Sequence, residues 1–436
     1  MRPDLFSPAG SAGYRAATNP HNATVAQRPA MVAHPRTADE VAHAVRWAAQ
    51  RNLTLAVQAS GHGAGAPIES DRLLVDTSGL NAVHIDANAR VARVGAGATW
   101  SAVNALAERH GLLGLAGTSP TVAVAGYTFG GGVGFLTRPH GMASSALLAV
   151  DYVDGEGRIR RAAEDAADAI DREALWAFRG GGGVGVATAL TVELVAPQQL
   201  WAGYRLWSVD ALGPVVDAWA TAMDEIGAAL STSLSVLHPP PGVPVVHLAF
   251  ASPHGADAAG PLLRALRMAP PPAVDSSWAP ADAARLAQIH LDPPNPVPAL
   301  GVGRWLGPGA PDVAADALDV AATVDSPVAV VELRNVGNDA PARDGAMTAV
   351  PGPFLLHAVG LATDDASRSR TEDGLSKVRT AATPADVGRS AASFADGRAA
   401  VADGLDQSGL QRLGRIRAAL DPDQRLAPSR LVATIT

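Results

Sequence analysis

The sequence predicts an α+β protein of two domains. Three observations carry this. The chain has 436 residues, and at about 150 residues per domain that length asks for two or three units. Residues 30–198 alternate short strand-like segments with amphipathic helices and glycine-dense turns. From residue 199 the texture changes to longer alternating strands, Ala-rich helices and proline-rich breaks, the pattern of an antiparallel sheet with helices on one side.

Residues 1–29 are polar and unpatterned and read as an N-terminal arm. Ala30–Pro35 reads as a short strand. Thr37 is an N-cap followed by acids in the first turn, opening a helix over Val41–Gln50. Leu53–Gln58 is a second strand running into the turn 60–65. Residues 73–80 and 91–99 are further strands. Trp100–His110 is helical and stops at Gly111, a residue suited to the left-handed C′ position. Residues 117–134 read as one long glycine-dense loop. Leu147–Asp154 and Arg158–Arg161 form a hairpin around Gly155-Glu156-Gly157, Asp171–Phe178 a short helix, and Val184–Val195 another strand. Beyond it, breaks at 238–244, 270–280 and 292–298 separate the strand candidates 243–252, 327–337 and 353–362. A last helix covers Leu410–Leu420.

Composition excludes several classes of function. Hydrophobic residues make up 47% and charged residues 17%, a globular balance, and the net charge of -8 does not suit a polyanionic partner such as nucleic acid. With no cysteine there are no disulfides, thiolate metal sites, thiol nucleophiles or sulfur-linked cofactors. Lys377 is the single lysine, so no Walker-type loop exists. No H-E-x-x-H, His-x-His or dense carboxylate cluster suggests a metal, and no G-x-S-x-G elbow suggests a serine hydrolase. No run of about 18 apolar residues predicts a membrane span. With no signal-like start, a cytoplasmic protein is expected.

Two glycine clusters resemble nucleotide motifs. Gly180-x-Gly182-x-x-Gly185 matches G-x-G-x-x-G, but the following residues, 186–194, are β-branched and alternating, whereas a Rossmann site needs a helix there. Glycine loops between strands bind pyrophosphate in another way: without Cβ atoms the backbone comes close, and successive N–H groups form an anion nest. Loops 61–65, 117–134 and 180–185 together are enough to wrap a dinucleotide, though each alone is as readily a tight turn.

Five blocks occur in order: V-Q-A-S-G-H-G (57–63), L-L-V-D-T-S-G-L-N (73–81), V-A-R-V-G-A-G-A-T-W (91–100), G-T-S-P-T-V-A-V-A-G-Y-T-F-G-G-G-V-G-F-L-T-R-P-H-G-M (117–142) and L-W-A-F-R-G-G-G-G-V-G-V-A-T (175–188). Together they resemble the FAD-binding domain of the vanillyl-alcohol oxidase, or PCMH-type, superfamily, and within it the berberine-bridge-enzyme-like branch that includes 6-hydroxy-D-nicotine oxidase. The resemblance implies a PCMH-type FAD-binding domain over 30–198 and a substrate domain over 199–404. It implies a segment 405–436 that returns to the first domain. It assigns FAD contacts to Ala59, Ser60, Gly61, His62, Gly63, Gly117, Thr118, Ser119, Thr121, Val122, Gly126, Phe129, Gly130, Gly131, Gly132, Gly134, His140 and Val186. His62 stands where relatives carry the flavin as a covalent bond. Ser119 stands in the block where a second bond would come from cysteine, so at most one bond, through His62, is expected. Ser60-Gly61, His140 and Val184 depart from the usual glycine pair, tyrosine and phenylalanine.

The resemblance leaves the acid/base chemistry to the second sheet. Alternation puts Val246, Leu248 and Phe250 on the helices and turns His247 toward the flavin as a candidate acid/base. Glu332 and Arg334 share a face and suit a carboxylate–guanidinium substrate clamp; the alternative is a solvated charged face. His357 lies in a strand apolar on both faces and is either a site residue or a core histidine. Tyr127 and Tyr204 are alternative phenol bases, and no tyrosine follows residue 204. Trp201, Trp207 and Trp305 line either a pocket or the core. The expected function is an FAD-dependent oxidoreductase that passes hydride from a small, largely apolar molecule to flavin N5. Oxygen is the expected acceptor and bacterial secondary metabolism the setting. The alternatives are a monooxygenase or oxidative cyclase, and a non-catalytic flavin-binding homologue.

Overall fold

The computed structural model describes residues 4–239, 242–277, 281–293, 295–337, 340–401 and 403–431. Parts of all three proline-rich breaks and the last five residues of the C-terminal segment fall outside these. Three sheets organise the chain.

The first sheet has strands β1 (Phe6–Pro8), β2 (Met31–Ala33), β3 (Thr54–Gln58) and β4 (Arg72–Asp76) in the order β1-β2-β4-β3. β2, β4 and β3 are parallel, and β1 closes the edge antiparallel to β2. The helix Ala38–Ala49 makes the crossover; Thr37 accepts the Glu40 amide as its N-cap, and Val41, Val45 and Ala48 face the core. Residues 4–29 supply an edge strand and the short helix Ala12–Ala17.

The second sheet has β5 (Val83–Asp86), β6 (Val91–Gly95), β7 (Leu147–Val153), β8 (Ile159–Ala163) and β9 (Val186–Glu193) in the order β5-β6-β9-β7-β8, all antiparallel. A strand, β9, does follow Gly185, so the G-x-G-x-x-G match belongs to a strand turn. Helix Trp100–Ala107 continues as one 3-10 turn and ends on Gly111 at φ 67°. The expected 117–134 loop is interrupted by a helix over Val124–Phe129, whose Val124 and Ala125 join the core. Glycine density hid that helix, because Gly126 sits inside it.

The third sheet holds β10 (Trp201–Ser208), β11 (Ser231–Leu237), β12 (Val245–Ser252), β13 (Val274–Asp275), β14 (Ala299–Leu306), β15 (Val328–Asn335), β16 (Phe354–Leu361) and β17 (Asp386–Ser390). Its order is β13-β10-β12-β11-β15-β16-β14-β17, antiparallel throughout. One face packs Leu234, Val236, Val246, Leu248, Phe250, Val331, Leu333 and Leu356 against the helices Leu212–Met223, Ala314–Asp319 and Asp365–Ala382. The opposite face turns toward the first two sheets: Ala249 packs with Phe135, and Leu355 and Trp305 join the core of Val124, Val133 and Phe178. The helix Gln407–Leu420 brings the chain back, burying Leu413, Ile416 and Leu420 in that core, and Leu426 bridges to Leu55 of β3. Among the described residues no helix is long and apolar enough to cross a membrane.

Candidate active site between the glycine block and the third sheet

Strand register builds the site. His247 on β12 pairs with Ser235 on β11, Ser235 with Glu332 on β15, and Glu332 with His357 on β16. Four strands thus place His247, Ser235, Glu332 and His357 in one row on the face opposite the helices. The next row carries Ala249, Ser233, Arg334 and Leu355.

Glu332 is the centre. Its Oε1 accepts from Ser233 Oγ at 2.5 Å and from Arg334 Nε at 2.7 Å. Its Oε2 faces His290 Nε2 at 3.1 Å and His357 Nδ1 at 3.8 Å, ion-pair contacts without hydrogen-bond alignment. Each imidazole is backed by a carboxylate: His290 Nδ1 by Asp292 Oδ1 at 2.7 Å, and His357 Nε2 by Asp396 Oδ2 at 2.9 Å. Three carboxylates and three cations balance, which is how a buried ionic cluster is tolerated. Burial lowers the proton affinity of His290, but Asp292 and Glu332 outweigh it and push the ring up to about 10. His357 is raised likewise to about 9 by Asp396 and Glu332. Burial favours protonated Glu332, yet Arg334 and His290 hold it well below the usual carboxylate range.

His247 is corrected by its neighbours. It is fully buried, Ser235 Oγ lies 3.1 Å from Nδ1, and Nε2 lies 2.9 Å from the Ile289 carbonyl, so neither nitrogen is free for a substrate. Burial and His290 lower it to about 4. It is a tether for the segment before β14. Glu332 and Arg334 are not a solvated face: both are buried and paired. His357 is a partner of that pair.

The first two sheets approach the same cluster with their turns. After β3 the chain reverses through Gly61 at φ 72°, where a Cβ would lie 2.5 Å from Pro20, so only glycine fits. Ser60 and Gly61 carbonyls accept the His21 and Asn22 amides, and the His21 ring stacks on His62 with centroids 3.7 Å apart. His62 Nε2 lies 2.9 Å from Thr121 Oγ1. Burial, then the charge of His21, lower His62 to about 4, so it is neutral at neutral pH, and it feels the carboxylates of Asp292 and Asp396. Thr118 lies beside Asp292 and helps lower its carboxyl, and Arg334 Nη1 reaches to 3.5 Å from the Val133 carbonyl, so the glycine block touches the row on the sheet. Arg334 also lies over the Phe135 and Phe394 rings.

The other expected cofactor residues divide by place. Ala59, Ser60, Gly63, Gly117, Thr118, Ser119, Thr121, Val122, Gly126, Phe129 and Gly130 are part-exposed or exposed along the three loops. Nothing lies within 4 Å of a Cβ built on Gly126, and at Gly63 the nearest atom is 3.5 Å away. Gly131, Gly132 and Gly134 are buried, with the first two carbonyls and the Gly134 amide already bonded within the protein. Gly132 at φ 72° lets the Tyr127 ring come within 2.6 Å of where a Cβ would stand. Val186 packs its side chain into the core beside Val153 and Leu426. His140 has His254, not a member of the cluster, as its charged neighbour. Tyr127 Oη is buried without a hydrogen-bond partner, and burial pushes its phenol up, which makes it a poor base. Trp207, Trp305 and Trp201 are core residues.

The residues fit FAD. Open backbone at Gly63 and Gly126, a neutral imidazole beside them and an unpartnered buried phenol are what a long, polar, planar cofactor needs. His290, Asp292, Asp396, Ser233 and His21 were not legible as site residues. His290 and Asp292 border a proline-rich break, where two side chains two residues apart carry no periodic signal.

Residues 29–163 match the family described as FAD binding domain. The chain is 31% identical over 229 residues to (R)-6-hydroxynicotine oxidase of Paenarthrobacter nicotinovorans, covering 51% of this chain and 49% of that relative. The match thus spans about half the relative's length. The crystal structure of 6-hydroxy-D-nicotine oxidase from Arthrobacter nicotinovorans has the same fold, with TM-score 0.82, 23% identity, and coverage of 98% of this chain and 97% of that one. So does a berberine-bridge-enzyme-like protein of Physcomitrella patens, with TM-score 0.82, 18% identity, and coverage of 99% and 96%. Residues 29–163 are therefore similar to an FAD-binding domain, and the chain as a whole has the fold of these two oxidoreductase-like structures.

Proposed function

We propose that the protein is an FAD-dependent oxidoreductase that removes hydride from a small organic substrate and returns the electrons to oxygen. One observation carries the reading: a buried, charge-balanced cluster on the third sheet meets the glycine turns of the FAD-binding domain through Thr118 and Val133. Loops 59–63, 117–122 and 126–130 would hold FAD, which when bound supplies the two-electron acceptor. His62, neutral and oriented by Thr121 and His21, is the proposed attachment point. A bond there would tether FAD to the turn after β3. With no cysteine in the chain, a second bond does not form.

Glu332 Oε1 is saturated, so Oε2 is the atom that receives a proton from a substrate O–H or N–H. Arg334 and Ser233 keep the carboxylate in place. Phe135 and Phe394 give the site aromatic walls suited to a largely apolar molecule. We assign it to bacterial secondary metabolism, on the sequence's composition.

The test is anaerobic flavin bleaching across a panel of amines and alcohols, followed by product mass. Bleaching by at least one compound, with loss of two hydrogens in the product, is expected. Glu332→Gln should slow that bleaching by about 100-fold or more, the usual contribution of a positioned base. No bleaching by any compound points to a flavin-binding protein without turnover, and an added oxygen atom points to monooxygenation.

A further inference from the structure

The segment between the helix Ala283–Gln288 and β14 carries a feature that the proposed reaction does not use. Leu291 has φ 65° and is 42% exposed. A branched, solvent-facing leucine gains nothing from that left-handed conformation, which L-residues avoid because Cβ crowds the backbone. The turn bonds the Leu291 amide to the Gln288 carbonyl at the end of the helix and folds Asp292 back onto His290, with 2.7 Å between Nδ1 and Oδ1. The segment is tied on each side. The Ile289 carbonyl takes His247 Nε2, Asp292 lies beside Thr118 of the glycine block, and Val297 exchanges backbone bonds with His21 and Ala23 of the N-terminal segment. Strained residues held by their surroundings cluster at functional sites.

We propose that His290, backed by Asp292 and aimed by the turn at Leu291, is a positioning residue that keeps Glu332 ionised and its Oε2 available. This rests on the reading that Glu332 is the proton acceptor. Glu332 is faced by Arg334 from its own strand, by His290 from this segment, by His357 with Asp396 behind it from β16 and the loop after β17, and by Ser233 from β11. Tyr127 lies near Arg334 from the first domain. His290 itself is faced by Asp292, Glu332, Arg334 at 3.3 Å and the His247 ring. Of the cations around Glu332, Arg334 occupies Oε1, while His290 is the nearest to Oε2. Removing its charge should therefore return proton affinity to the oxygen that works.

Two measurements on the FAD-loaded full chain test this without any substrate. Infrared titration follows the carbonyl stretch of a protonated buried carboxyl. In His290→Asn the Glu332 midpoint should rise by at least about one pH unit relative to wild type, a tenfold change in proton affinity, and the band should vanish in His290→Asn/Glu332→Gln. Histidine-selective 15N NMR should show His290 doubly protonated at pH 8, and Asp292→Asn should return it to ordinary titration near neutrality. An unmoved Glu332 midpoint, or a singly protonated His290 at pH 7, overturns the proposal. If His290→Asn does not fold, Asp292→Asn decides by the same NMR signal. Both outcomes leave the FAD assignment standing, because that assignment is read from the flavin absorbance.

Discussion

At the residue scale, the histidines divide into two kinds, and the division has a thermodynamic signature. His290 and His357 are raised to about 10 and about 9 by the carboxylates behind them. Their stabilisation is complete below the unfolded histidine value of about 6.5 and is lost as pH rises toward those folded values. His62 and His247 are lowered to about 4 by burial. The folded state keeps them neutral, so stability falls as pH drops from about 6.5 toward 4, where the unfolded chain takes up more protons. Glu332, held low, adds to the acid-side loss. The thermal midpoint is therefore expected to peak near pH 6.5 and fall on both sides. A double His290→Asn/His357→Asn variant should flatten the alkaline limb and, by raising Glu332, weaken its share of the acid-side loss. A midpoint that keeps rising to pH 9 in the wild type would contradict this division.

Alternation already placed His247, Glu332 and Arg334 on one face, because period-two patterning is unambiguous where the opposite positions are Val246, Leu248, Val331 and Leu333. His357 was ambiguous for a physical reason: β16 is buried on both faces, Leu356 against helices and Leu355 against the first core, so hydropathy gives no direction. His247 was on the correct face and in the wrong role, since sequence cannot show that Ile289 takes its second nitrogen.

At the scale of elements, strand register and loop strain do the assembly. The β12-β11-β15-β16 pairing turns four residues separated by up to 122 positions into one row, and a one-residue slip of β15 would send Glu332 and Arg334 into the helix face. The helices, the hairpin β7-β8 and the end of Trp100–His110 were legible from capping and turn chemistry. The helix Val124–Phe129 and the edge strand β1 were not, because glycine content and a three-residue length carry weak local signals. The strain at Leu291 gives an element-level prediction. Leu291→Gly removes the steric cost of the left-handed conformation and should stabilise the protein by about 1 kcal/mol in denaturant unfolding, less the entropy glycine adds to the unfolded chain. Gly132→Ala, which introduces that cost and a contact 2.6 Å from the Tyr127 ring, should destabilise by about 2 kcal/mol. A destabilising Leu291→Gly would mean that the turn is held by side-chain contacts and carries no strain.

At the scale of the molecule, the N-terminal segment, the glycine turns, the third sheet and the C-terminal segment converge on one place. Pro20 and His21 close on Gly61 and His62, Val297 pairs with the same segment, and Arg430 bonds the Ala392 and Ala395 carbonyls beside Asp396. The family blocks marked the FAD-binding domain in the sequence, because backbone approach to a dinucleotide dictates glycine at fixed places. The chemical side was only partly legible, since charges gathered from β15, β16, the 289–292 turn and the loop after β17 share no local motif.

FAD is proposed to lie against His62, facing the Glu332 cluster. The measurement that tests it most directly is the visible spectrum of the purified protein before and after acid precipitation, with His62→Ala alongside. A flavin spectrum whose colour stays in the pellet for wild type and moves to the supernatant for His62→Ala is the predicted result. A protein that shows no flavin absorbance and takes up none from added FAD would contradict the account.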